Sequence, residues 1–131
     1  MKRTTFLLSS MLLGLSLLIS SCATAVVAGA AAGVGTYIWA NGKMSFETEN
    51  TIRQCHGAAT SALNELQIDI KESRLDSLIG KIVGRTAVDE PVVVDIEPVN
   101  SRRTRVEVRV GTWGNKTQSQ IILDNIQRHL Y

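Results

Sequence analysis

The chain has 131 residues, with 14 Lys and Arg, 12 Asp and Glu, two Cys and two His. That length holds one small domain at most and excludes a multidomain enzyme. The formal charge of +2 rests on Lys2 and Arg3, in a segment expected to be removed; without them acids and bases balance, leaving no bulk attraction to nucleic acid or anionic lipid.

Residues 1–22 have the layout of a secretory signal. Lys2 and Arg3 form the positive start. Phe6 to Ile19 is apolar but interrupted by serines, and short of the roughly 20 residues a membrane span needs. The run ends in Leu18-Ile19-Ser20-Ser21-Cys22, which resembles a bacterial lipobox. That resemblance implies cleavage before Cys22, a thioether from its Sγ to diacylglycerol, and acylation of the new amine. An uncleaved signal anchor with a chance cysteine is the competing reading; the agreement of positive start, length and cysteine position favours the lipobox. Each buried lipid CH₂ contributes about 0.8 kcal/mol, so several acyl chains anchor stably. Ala23, rather than Asp, follows Cys22. By resemblance to enterobacterial sorting this implies an outer-membrane location, facing the periplasm.

No charge occurs between Thr4 and Gly42. Residues 23–40 are rich in Ala and Gly, and Gly29 and Gly33 form a G-x-x-x-G. One reading is a membrane helix that packs through small residues. The preferred one is a tether or surface-lying segment, because small residues insert poorly beside a Leu-rich span. Tyr37 and Trp39 then sit at an interface or begin the folded domain. The expected division is a signal peptide over 1–21, a lipidated Cys and Ala/Gly tether over 22–35, and a small α+β domain over 36–131.

Thr36 to Thr48 is predicted to hold one strand, ending near Glu49. Asn50 is the expected N-cap of a helix over about 50–66. Its apolar face is Ile52, Cys55, Ala59, Ala62, Leu63 and Leu66, at spacings of three and four. Four short strands follow. Ile68 and Ile70 alternate with polar neighbours, and Ser73 to Asp76 reads as a turn. Leu78, Gly80, Ile82 and Gly84 form the next inward row, its glycines leaving room for a helix to approach. Val92, Val94 and Ile96 form the third, and Val106, Val108 and Val110 the fourth. These are half-buried antiparallel strands. Gly111 to Gly114 is a loop, and Asn115 caps a last helix whose inner stripe is Ile122, Leu123, Ile126 and Leu130. The order is βαββββα: an antiparallel sheet of four or five strands with both helices on one face. In the last hairpin, cross-strand charge pairing predicts Asp95 opposite Arg105 and Glu97 opposite Arg103, because the alternative sets Asp95 against Glu107.

Candidate sites divide between chemical and structural readings. Cys55 is the remaining thiol once Cys22 carries lipid. It lies on the apolar stripe and packs as a small hydrophobe, and His56 points elsewhere on the helix. His56 and His129 have no metal-ligand spacing. Arg102, Arg103, Arg105 and Arg109 cluster on one hairpin arm; a phosphate or lipid-A patch is conceivable, but Asp95, Glu97 and Glu107 make a solvated sheet face the preferred reading. Trp113 is either an exposed anchor for a partner or, as preferred, a residue closing the core edge. No catalytic, phosphate-cradling or zinc motif occurs in the sequence.

The assembled pattern resembles a family of small bacterial lipoproteins whose domain has no known function. The likeness rests on Cys22, the Ala/Gly tract leading into Gly35-Thr36-Tyr37, the first helix, and Arg109-Val110-Gly111-Thr112-Trp113-Gly114-Asn115 before a final helix. It implies location and fold, and no chemistry. The expectation is a lipid-anchored, non-catalytic envelope protein without cofactor or metal. It binds another protein or envelope component and no nucleic acid, with Trp113, Arg103, Arg105 and Arg109 as contact residues. The alternative is a periplasmic carrier of a small apolar ligand or lipid.

Overall fold

The computed structural model describes residues 36–131. Strands β1 (Ile38–Ala40) and β2 (Lys43–Thr48) precede helix α1 (Ile52–Glu65). Strands β3 (Asp69–Leu75), β4 (Gly80–Arg85), β5 (Pro91–Pro98) and β6 (Thr104–Val110) follow, and helix α2 (Lys116–Leu130) ends the domain. The six strands form one antiparallel sheet in the order β1-β2-β6-β5-β4-β3. The class is α+β, as the periodicity predicts.

Strict alternation places every inward side chain on one face. Met44, Phe46, Ile82, Val92, Val94, Ile96, Val106, Val108 and Val110 are all buried. Helix α1 covers β3 to β6, and α2 covers β2 and β6. The contact face of α1 is Cys55, Ala58, Ala59, Ala62 and Leu63; its three alanines let the helix lie close. On α2, Ile122, Leu123 and Ile126 are buried and Leu130 partly so. Tyr37 packs edge-on against Phe46, with ring centroids 6.2 Å apart, and its hydroxyl bonds to Asp124 and Gln127 of α2. The first aromatic of the domain thus ties the chain's entry point to the last helix.

Several local expectations are corrected. The stretch 36–48 is a hairpin, not one strand: Ala40 pairs with Lys43 across Asn41 (φ 52°) and Gly42 (φ 74°), the positive angles of a type I′ turn. The cap of α1 is Thr51, not Asn50. Its hydroxyl accepts from the Gln54 N–H at 3.2 Å, and the Gln54 amide oxygen accepts from the Thr51 N–H at 2.9 Å, which closes a capping box. Ser73 to Leu75 continue β3, past a bulge after Ile70, and the turn falls at Asp76 to Ile79. There the Asp76 carboxylate accepts from the N–H groups of Leu78 and Ile79, so Leu78 belongs to the turn and is exposed.

The predicted register of the last hairpin is also overturned. Asp95 stands opposite Glu107, and Glu97 opposite Arg105. Both registers bury the same valines, so burial cannot choose between them. The turn chooses: the Asn100 side chain accepts from the N–H of Arg102 (2.8 Å) and Arg103 (2.9 Å), and the Val99 N–H donates to the Arg103 carbonyl at 2.8 Å. The neighbouring strands then supply the cations that Asp95 and Glu107 lack within the hairpin.

Candidate partner-contact surface

The face of the sheet away from the helices is built from the outward residues of each strand. Lys43 of β2 lies 3.5 Å from Asp95 and 3.2 Å from Glu107, and Lys81 of β4 lies 3.8 Å from Asp95. The juxtaposed acids are therefore bridged from both sides. Hydrogen bonding to Glu107, with the charges of Glu107 and Asp95, holds the Lys43 ammonium above its ordinary pKa despite some burial. Farther along, Arg105 and Arg103 both reach Glu47, at 3.0 and 3.5 Å. These two predicted contact residues share one carboxylate, Glu47 on β2, rather than the expected Asp95, Glu97 or Glu107. Arg109 lies apart: its Nη2 donates to the Asn41 carbonyl at 3.4 Å, and its Nε is buried without a partner. Arg103, Arg105 and Arg109 are thus each in contact with groups of this domain.

Trp113 departs from its preferred reading. It is 91% exposed and closes no core edge. Its backbone, by contrast, is tightly held. A Cβ on Gly114 (φ 90°) would land on the Gly42 carbonyl oxygen, and one on Gly42 would lie 2.6 Å from the Trp113 carbonyl oxygen. The Asn41-Gly42 turn packs against the Trp113-Gly114 backbone, and the indole is left in solvent. Gly111 (φ 76°) donates its N–H to the Pro91 carbonyl at 2.8 Å, and Asn115 caps α2 by accepting from the Gln118 N–H at 3.1 Å. The junction accounts for Gly111, Gly114 and Asn115 and leaves the indole without a structural role. Residues 6–129 match the family model described as Protein of unknown function (DUF3568).

The chain belongs to that family. No curated protein matches it.

In this DUF3568 member Cys55, His56 and His129 each contact other groups of the domain. Cys55 is fully buried, and burial pushes its thiol up to about 11. His56 bonds to the Ser73 hydroxyl at 3.0 Å, and burial lowers its pKa. His129 meets Glu65 at 2.8 Å, joining the end of α2 to the end of α1. Among the described residues, no group of three His, Cys, Asp or Glu is placed to hold a metal ion, and no helix is long and apolar enough to cross a membrane. Cys22 and the divisions expected before residue 36 lie outside the described residues.

Sequence reasoning missed the partner of the Trp113 loop. Asn41-Gly42 between β-favouring residues was the available signal, since that dipeptide marks a two-residue hairpin. It also missed Val88 and Ile121, 77% and 41% exposed, which border a groove of about 240 Å³ together with Leu66, Ile68 and Ile122.

Proposed function

We propose that this protein is a non-catalytic, lipid-anchored component of the bacterial cell envelope. Its leader, residues 1–21, is removed, Cys22 carries the lipid, and residues 22–35 tether the domain to the outer membrane on its periplasmic side. The domain binds another envelope component, with Trp113 as the projecting contact and Arg103, Arg105 and Arg109 on the adjoining sheet face. It uses no cofactor and binds no nucleic acid. The exposure of Trp113 on a backbone pinned by two glycines supports a binding role most directly, because an indole held rigidly in water loses little freedom when a partner covers it. Support for the anchor comes from the sequence around Cys22.

Metabolic labelling with a palmitate analogue, followed by membrane fractionation, tests the anchor. Label and membrane association are expected in the wild type and lost in Cys22→Ala. Wild type that stays unlabelled and soluble would end this reading. A photo-crosslinker at position 113 then reports what covers the indole in cells.

The carrier alternative wants apolar space between helices and sheet. Beneath Gly80 that space is taken by Ile96 and His56, each within 3.5 Å of where a Cβ would stand, and beneath Gly84 by Ile68 at 3.0 Å. The packing there gives the carrier no support.

A further inference from the structure

We infer that the end of the domain carrying Trp113 rests on the lipid bilayer itself, with its apolar side chains in the headgroup region. This rests on the anchored reading and names the envelope component that the indole meets.

The topology collects the relevant groups at one end. The Asn41-Gly42 turn abuts Gly114, so Trp113 and Trp39, three residues before that glycine, lie near each other along the sheet. Pro91, where β5 begins, accepts from Gly111. The preceding turn, with Val88, therefore stands at the same end, and Val88 shares its groove with Ile121 of α2. Both tryptophans of the chain are thus gathered with exposed Val88 and Ile121. Indoles combine an apolar ring with one N–H donor and favour the depth where acyl chains meet headgroups. The opposite end also exposes apolar groups, Leu75, Leu78, Ile79 and Val99, and its groove mixes Ile52, Leu75 and Pro98 with Arg53, Asp76, Asn100 and Ser101, but it carries no indole.

From Thr4 to Gly42 the sequence carries no charge, so nothing in the tether opposes approach to a bilayer. The tether joins at Thr36 and Tyr37, ahead of β1, and β1 carries the chain from there to the turn at the tryptophan end. Thirteen residues, 23–35, separate the lipid-bearing position from the start of the described domain. Fully extended, they reach about 50 Å at most. A domain confined that closely meets the bilayer at an effective concentration of about millimolar, so a weak contact suffices to orient it. A protein partner would be expected to offer the indole a pocket and to find one in return; the groove at Val88 and Ile121 holds only about 240 Å³.

The test uses the full mature lipoprotein in phosphatidylethanolamine–phosphatidylglycerol vesicles with brominated acyl chains. Because the chain has two tryptophans, Trp39→Phe leaves Trp113 as the sole emitter. Its emission is expected to shift to the blue and to lose about half its intensity to the bromolipid. The double variant Val88→Asp, Ile121→Asp, changed only at exposed positions, is expected to float with vesicles yet abolish that quenching. Trp113 emission that ignores bromolipid while the protein floats overturns the inference and leaves the anchor standing. So does quenching unchanged in the double variant. Shielding from acrylamide that needs envelope protein rather than lipid overturns it in favour of a protein partner. Wild type that fails to float removes the anchored reading and this inference together.

Discussion

At position 114 a single methyl group has nowhere to go. Gly114 has φ 90° and its Cβ site coincides with the Gly42 carbonyl oxygen, so both conformation and space demand glycine. Gly114→Ala is expected to destabilise the domain by roughly 2–4 kcal/mol, read as a fall in the urea midpoint. Gly57 is the contrast: it lies within α1 with nothing within 4 Å of its Cβ site. Gly57→Ala should stabilise by about 0.5–1 kcal/mol in the same measurement. Cys55 shows the same rule for chemistry. A fully buried thiol pushed up to about 11 holds almost no thiolate at neutral pH. The native protein should therefore resist Ellman's reagent, and denaturant should release one reactive thiol per lipidated chain. Rapid labelling of the native state would contradict the burial.

Between elements, charge is settled across three strands rather than two. Considered as an isolated hairpin, β5 and β6 favour Asp95 opposite Arg105; in the sheet, Lys43 from β2 and Lys81 from β4 flank Asp95, and Arg105 turns to Glu47. Lys43→Met should cost about 1 kcal/mol by leaving Asp95 and Glu107 face to face. Adding Glu107→Gln should restore most of that loss, and a double-mutant cycle in urea would measure the coupling. If the two changes simply add, Lys43 is not the bridge. The neighbouring strand β2 was legible only as part of a longer run, because alternation across residues 36–48 continues on both sides of Asn41-Gly42. The helices were legible almost to the residue, since a 3.6-residue stripe with a polar cap marks its own ends. Thr51 displaced Asn50 because Gln54, three residues on, completes its capping box.

Over the whole molecule, three described groups make alkaline pH the weak side. The Cys55 thiol is raised from 9.0 to about 11 by burial, the Tyr37 hydroxyl is raised above 10.0 by burial and by its bond to Asp124, and Lys43 is raised above 10.5 by its acids. In all three, the folded state holds its proton more tightly than the unfolded chain. The associated stability is full below the unfolded value and is lost as pH rises through the folded one. The urea midpoint should therefore begin to fall above about pH 9, and Cys55→Ala should reduce the first part of that fall. A midpoint flat from pH 8 to pH 11 would refute the Cys55 shift. The fold class, the inward face of nearly every strand and both helical stripes were legible in the chain, because periodicity and burial are properties of each segment alone. Tertiary structure alone decided the strand count, the hairpin register, the partners of the arginines and the exposure of Trp113. Each of these depends on which distant backbone stands alongside: Gly42 beside Gly114, β2 beside β6. A contact between segments some seventy residues apart leaves no periodic trace in either one.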